Sequence, residues 1–213
     1  RPEHRVLDVG SGLGGPSRCI AHEFGCLVTG LDLTEPYCRA ARIIADRLGM
    51  TARLTYRHGN ALDMPFPEGA FDVVWTQHTA MNIPDKGRLY REIRRVLRPG
   101  GLFALYDVLS GTVAPPHFPL PWARDPAISF LVSPDRLKEL LGEAGFEVLN
   151  WRDTSELGLN WFRSLTAKQP PLKEKGPAIG LHMIMGPDIR LMSRNIIRNL
   201  EENRIVLVEG IAR

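Results

Sequence analysis

The chain has 213 residues, 44% of them hydrophobic, enough for one domain with a full core and no more than a small cap. A net charge of +3 is too weak to argue for a nucleic-acid partner, and neither a run of about 18 apolar residues nor a signal-like N-terminus is present, so no integral membrane segment is expected. The three cysteines, Cys19, Cys26 and Cys38, are odd in number and form no C-x-x-C, so they read as reduced packing residues of a cytoplasmic protein.

Val6, Leu7 and Val9 make a short apolar run that ends in Gly10, Gly12, Gly14 and Gly15, and a helical pattern opens at Pro16. This reads as a buried parallel strand, a glycine turn and a helix N-terminus, a place where a ligand can touch bare backbone. Leu27 to Asp32 is a second apolar strand whose last residue is a carboxylate. Asp32 falls about 20 residues after the glycine turn, the spacing that holds a ribose hydroxyl pair. The turn itself admits two readings. Gly10-x-Gly12-x-x-Gly15 fits the nicotinamide and flavin fingerprint, whereas Asp8-x-Gly10-x-Gly12-x-Gly14 places an acid inside the strand. No Lys-Ser/Thr follows the turn, which speaks against a P-loop.

A helix is expected over Glu35 to Leu48, with Thr34 as N-cap, Pro36 in the first turn and Gly49 as its stop. Arg53 to Arg57 is the third strand, ending in the loop Gly59-Asn60-Ala61, and a turn-rich connector from Met64 to Gly69 leads to the fourth, Phe71 to Trp75. That strand runs out at Thr76-Gln77-His78. Pro84 to Leu97 carries the stripe Leu89, Ile93, Val96 and Leu97, with Arg88, Arg91, Arg95 and Arg98 on a face that reads as solvated. Pro99-Gly100-Gly101 should break this helix and feed a fifth strand, Leu102 to Val108. Strand–helix alternation of this kind implies an open parallel sheet.

Ser110 to Phe130 departs from the alternation. It holds Pro115, Pro116, Pro119, Pro121 and Pro126 with Phe118, Trp122 and Phe130, and is a candidate lid over a pocket. Ser133-Pro134 caps a helix that Gly145 ends, and Phe146 to Trp151 is a sixth strand. Thr154 to Lys168 reads as helix, Gln169 to Pro177 as a Pro/Lys linker and Asp188 to Glu202 as helix. Asn203 to Ile211 is a last strand expected to pair antiparallel. The fold class is therefore α/β, a Rossmann-like doubly wound, mostly parallel seven-stranded sheet with an antiparallel last strand and a small lid or cap. One domain is expected over 1–213, with 109–131 and 153–187 as lid segments. The chain opens almost directly on its first core strand, so a preceding helix is expected to be missing from it.

The series V-L-D-V-G-S-G-L-G, G-L-D-L-T, G-N-A-L-D-M-P-F-P, F-D-V-V-W-T-Q-H and V-L-R-P-G-G-L resembles the class I S-adenosylmethionine methyltransferases, in order and at the usual spacing over residues 5–107. The nearest likeness is to small-molecule enzymes, the quinone C-methyltransferases and the sarcosine/dimethylglycine N-methyltransferases; beyond Val108 it falls off. The resemblance implies S-adenosyl-L-methionine as cofactor, S-adenosyl-L-homocysteine as product and a small-molecule acceptor. It would set Gly10, Ser11 and Gly12 under the methionine part, Asp8 toward its ammonium, Asp32 on the ribose hydroxyls and Leu33 beside the adenine. Asn60 and Ala61 would meet the adenine edge, and Gln77 would face the sulfonium.

His78, at a strand end that opens into the crevice of an open sheet, is the candidate base, since imidazole titrates near neutrality. His182 is the second candidate for a base and His117, in the lid, the third. His78, Met81, Phe118, Trp122 and His182 are the candidate acceptor residues, and the mostly apolar set hints at a hydrophobic acceptor. No metal is expected, because no His-x-x-x-His or Cys/His cluster occurs. The competing structural readings are that Asp32 caps the next helix and that Asn60 is a turn residue. The competing functions are a nicotinamide-dependent oxidoreductase, for which the usual Tyr-x-x-x-Lys pair is absent, and a non-catalytic binding module on the same fold.

Overall fold

The computed structural model describes residues 2–167 and 186–213. Its centre is one sheet of seven strands: β1 (Arg5–Val9), β2 (Leu27–Asp32), β3 (Leu54–His58), β4 (Phe71–Gln77), β5 (Leu97–Ser110), β6 (Val148–Asp153) and β7 (Ile205–Ala212). Their order is β3-β2-β1-β4-β5-β7-β6. β3 to β5 are parallel, and β7 enters between β5 and β6 antiparallel to both, as the sequence pattern predicts. The strand order reverses between β1 and β4, so a crevice opens at their C-terminal ends. The glycine turn leaves from one lip and Gln77-His78 from the other.

Successive side chains on each strand point to opposite faces. Leu7, Val9, Leu31, Val74, Phe103, Leu105 and Val208 form one buried layer with α3 (Lys86–Val96) and α4 (Pro134–Glu143). Val6, Val28, Leu54 and Tyr56 form the other, under small residues of α1 (Gly15–Phe24) and α2 (Glu35–Arg47). The expected stripe of α3, with Leu89, Ile93, Val96 and Leu97, is buried throughout. α4 begins where Ser133 Oγ accepts the Arg136 N–H at 3.2 Å. α5 (Ser155–Ala167) and α6 (Ile189–Glu201) complete the helices of the described residues, among which none is long and apolar enough to cross a membrane.

Three local expectations are corrected. Pro99-Gly100-Gly101 does not separate α3 from β5: the strand already starts at Leu97, and the triplet is a bulge across which the pairing passes from Phe71↔Leu97 to Val73↔Leu102. Thr34 makes no side-chain cap for α2; Asp32 Oδ1 accepts the Thr34 N–H at 2.8 Å instead, so an acid two residues earlier turns the chain. The arginine face of α3 is only partly solvated. Arg95 donates to the Phe66 and Met64 carbonyls at 2.8 and 2.9 Å and to both oxygens of Glu92, one of which also accepts the Met64 N–H, so the 64–69 connector is organised around one planar guanidinium.

The proline-rich segment after β5 lies along α6, and buried amides fix it there. Asn199, with none of its surface exposed, accepts the His117 N–H at 2.7 Å and donates to the His117 carbonyl at 3.0 Å. Asn195 donates to the Pro119 carbonyl, and His117 Nε2 meets Glu202 Oε2 at 2.8 Å. Leaving these two backbone groups of His117 unpaired in a buried site costs roughly 1–3 kcal/mol each. Asn199→Ala is therefore expected to destabilise the fold by about 2–4 kcal/mol, read as a lowered urea midpoint at unchanged slope. Asn199→Asp, which keeps the acceptor and loses the donor, should recover only part of it.

Candidate functional site

The crevice between β1 and β4 is built from backbone on one side. Gly10 and Ser11 both donate their N–H groups to the Leu31 carbonyl, at 2.8 and 3.1 Å, which ties the glycine turn to the end of β2. Gly10 and Gly12 have φ of 76° and 53°, and a Cβ on Gly12 would stand in open space, so the surface of the turn there is bare peptide. Asp32 joins the two loops. Its Oδ2 accepts the Gly12 N–H and its Oδ1 the Thr34 N–H, both at 2.8 Å. Each oxygen keeps acceptor capacity after one bond, so the carboxylate suits a pair of neighbouring hydroxyls. Its bond to Thr34 turns the chain two residues ahead of the N-cap position, so Asp32 does not itself cap α2.

Two residues of this turn face inward. Asp8 is only 1% exposed and accepts the Ser17 hydroxyl at 2.5 Å; burial pushes its pKa up to about 6 against that bond. It locks the strand to α1 rather than standing in the crevice. The Ser11 hydroxyl is buried, without a hydrogen-bond partner among the described residues, while its N–H and carbonyl are taken by the Leu31 carbonyl and the Gly14 N–H. Leu33 is 68% exposed beside Asp32. Asn60 is exposed and turns its Oδ1 onto the Leu62 N–H at 2.9 Å, with Ala61 half-buried next to it.

A cavity of about 1070 Å³ opens on the β4 side. Gln77, His78, Met81 and Trp122 line it, together with Trp75, Tyr106, Trp161 and Phe162. Its walls are overwhelmingly apolar, and neither the glycine turn nor Asp32 belongs to them. Phe118 does not line it either; it packs behind, in the cluster of Met81, Val108, Leu120 and Ile196. Nor does His117, whose ring is held by Glu202, line the cavity. His182 lies outside the described residues, as does most of the 153–187 lid segment beyond Ala167.

His78 stands where crevice and cavity meet. Its backbone is left-handed, with φ of 52°, its N–H donates to the Tyr106 carbonyl at 2.8 Å, and its ring lies 4.7 Å from the Tyr106 ring. The residue as a whole stands at the open mouth, but its ring is set among apolar side chains, and that desolvation pushes its pKa down to about 4, so the imidazole is neutral at pH 7.

Sequence reasoning missed Thr79, which donates its hydroxyl to the Val9 carbonyl at 3.1 Å and so ties the two lips together. It also missed the buried pair Lys86 and Asp107. An acid in the middle of an apolar strand (L-Y-D-V) is the one signal that could have marked Asp107. Among the described residues no group of three His, Cys, Asp or Glu side chains is placed to hold a metal.

Residues 7–105 match the family model described as "Methyltransferase domain". The chain is 41% identical over 109 residues to sterol 24-C-methyltransferase ERG6B of Gibberella zeae, a match that covers 51% of this chain and 29% of that protein. It is 32% identical over 152 residues to sarcosine/dimethylglycine N-methyltransferase of Halorhodospira halochloris, covering 71% and 54%. The crystal structure of the [4+2]-cyclase SpnF superposes with a TM-score of 0.74 and 26% identity, over 99% of this chain and 75% of that one. The chain thus spans about half or less of the curated relatives it matches. The family match runs from the first strand into the fifth, over the residues that build both lips of the crevice, and on that ground residues 7–105 belong to the methyltransferase-domain family.

Proposed function

We propose that the protein transfers a methyl group from S-adenosylmethionine to a small, largely apolar acceptor held in the cavity beside His78. The observation that carries this is the adjacency of two unlike sites: a bare-backbone turn with a hydroxyl-binding carboxylate, and an apolar cavity meeting it at Gln77-His78. The residues fit the cofactor. Asp32 has an open lone pair on each oxygen for the ribose hydroxyls, and the Gly10–Gly12 backbone admits close approach of the methionine part. Asn60 and Ala61 stand at the next strand's end for the adenine edge, with Leu33 exposed beside Asp32. S-adenosylmethionine supplies a methyl on a sulfonium, which carries its own activation. What remains for this chain is to align the acceptor, exclude water and, where the acceptor is protonated, take its proton.

The apolar walls supply alignment and exclusion of water, and Trp122 and Met81 bound the acceptor. On this reading 109–131 and the part of 153–187 up to Ala167 are lid segments of one domain. The apolar lining, with the sterol 24-C-methyltransferase likeness, favours a sterol, prenyl or quinone-like acceptor over glycine derivatives. The cysteines, none of them in a disulfide among the described residues, fit a reducing, cytoplasmic compartment.

The test is incubation with S-adenosylmethionine and a panel of such acceptors, read by mass spectrometry. A gain of one CH2 with matching release of S-adenosylhomocysteine supports the reading; no gain across sterol, quinone and amine acceptors sinks it. The likeness to the [4+2]-cyclase favours a specific second reading, since an apolar cavity with a neutral imidazole also suits a concerted ring closure. An acceptor converted to an isomer of unchanged mass would support it. The pH dependence discriminates further. A base must be unprotonated, and the lowered pKa keeps His78 so until the pH falls through about 4. The acid limb of kcat/KM that disappears in His78→Gln is expected near pH 4, and a limb near 6.5 would argue against His78 in its present surroundings.

A further inference from the structure

The backbone after β4 takes an uncommon path. His78 is one of two non-glycine residues with positive φ in the described chain, a conformation that costs about 1–2 kcal/mol and persists only where its surroundings enforce it. Part of the enforcement is ordinary: the Thr79 hydroxyl reaches the Val9 carbonyl, and the Phe130 N–H donates to the Met81 carbonyl at 2.9 Å. The centre of the turn is held differently. Asp107 Oδ2 accepts the Ala80 N–H at 2.9 Å, and Lys86 Nζ donates to the Ala80 carbonyl at 2.7 Å and to that of Ile83 at 2.9 Å. Asp107 is 2% exposed and Lys86 5%.

Two buried ionisable groups are a costly way to satisfy three backbone groups of this turn and the Val108 N–H, since an amide or a hydroxyl would do so with less desolvation. Charge-assisted bonds are the shorter and geometrically stricter choice. Their position says what the strictness serves. Asp107 lies on β5 between Tyr106 and Val108, both of which line the cavity, and the turn it holds contributes His78, Met81 and Asn82 to the same wall.

We propose that Asp107 and Lys86 are positioning residues of the acceptor site: gripping Ala80 by its N–H and its carbonyl, they set His78 and Met81 against the cavity without touching acceptor or cofactor. Burial pushes Asp107 up to about 6 and Lys86 down to about 8, so both are charged around pH 7 and attract each other across the turn. The proposal rests on the methyl-transfer reading for its kinetic consequence alone.

The test has two arms. In the first, histidine Cε1–Hε1 NMR follows the His78 signal, assigned by its loss in His78→Gln and displaced by the ring current of Tyr106. Asp107→Ala is expected to move it toward the signals of the exposed His22 and His58. Asp107→Asn, which keeps an acceptor oxygen for Ala80, should restore most of its position. Affinity for S-adenosylhomocysteine, measured by calorimetry, should stay within about two-fold, because the glycine turn and Asp32 are not part of the grip. Lys86→Met repeats the measurement from the other side should Asp107→Ala fail to fold. In the second arm, the acceptor KM rises about ten-fold and that for S-adenosylmethionine does not. A His78 signal unmoved in variants that fold overturns the proposal, as does an Asn variant no better than Ala or a parallel loss of cofactor-product affinity. Were the wild type to transfer no methyl group, the functional reading would fall by itself and the NMR arm would still decide this one.

Discussion

Asp32→Ala is expected to weaken S-adenosylhomocysteine binding by at least about 100-fold while the protein stays folded, a loss of ~2.7 kcal/mol. Each oxygen of the carboxylate holds one backbone N–H, from Gly12 and from Thr34, and offers its remaining lone pairs to the ligand. Alanine removes two charge-assisted bonds to a hydroxyl pair, each worth roughly 1.5–3 kcal/mol, and releases Gly12 from its anchor in the same step. Stability should suffer less. Asp32 is only half-buried and the two freed N–H groups have access to water, so the cost of unfolding falls by about 1 kcal/mol. Asp32→Asn keeps one acceptor oxygen and should lie between. Titration calorimetry with S-adenosylhomocysteine, which needs no acceptor, measures all three proteins. Binding by Asp32→Ala within five-fold of the wild type would put the ligand elsewhere on the sheet and withdraw the cofactor assignment.

Asp32 is legible in the sequence because its signals are local. A strand end, a carboxylate and a glycine turn about 20 residues earlier are neighbours along the chain or one helix apart, and the periodicities that mark the helix and strands act over the same short range. The same holds for the stripe of α3, the Ser133 cap and the antiparallel β7, each written within a dozen residues. What the sequence does not show is long-range. Arg95 looks solvated until the Met64 and Phe66 carbonyls, 31 and 29 residues away, are brought to it. His117 looks like a lid base until Glu202, 85 residues on, takes its ring nitrogen. Asp107 and Ala80 meet across 27 residues, and no pattern on either segment announces the other. Pro99-Gly100-Gly101 misleads for a different reason. Proline and glycine mark an interruption of regular pairing, and a bulge within a strand is as good an interruption as its end.

Gly10→Ala and Gly12→Ala are expected to separate folding from binding in the same turn. Both glycines are left-handed, so either alanine bears about 1–2 kcal/mol of backbone cost. Their surroundings differ. At Gly10 the new methyl would fall onto the hydroxyl and methyl of Thr79, the side chain that ties the β4 lip to the Val9 carbonyl, whereas at Gly12 it meets nothing. Gly10→Ala should therefore add an overpacking cost of about 1–3 kcal/mol, for a total near 2–5 kcal/mol and a Tm lowered by roughly 4–20 °C. It should lose S-adenosylhomocysteine binding because the two lips can no longer close on each other. Gly12→Ala should keep most of its stability and lose affinity all the same, since its methyl projects into the space the ligand needs.

The double variant Gly10→Ala/Thr79→Ala checks the cause. Removing the Thr79 hydroxyl and methyl leaves its Cβ 3.0 Å from the new one, a contact that a small shift relieves, so the two changes should couple favourably by about 1–2 kcal/mol in a thermal or urea cycle. Strict additivity would mean that the strain of Gly10→Ala is conformational alone and that Thr79 does not clasp the turn. Equal stability loss at Gly10 and Gly12 would say the same, and full binding by Gly12→Ala would place the ligand away from the bare face of the turn.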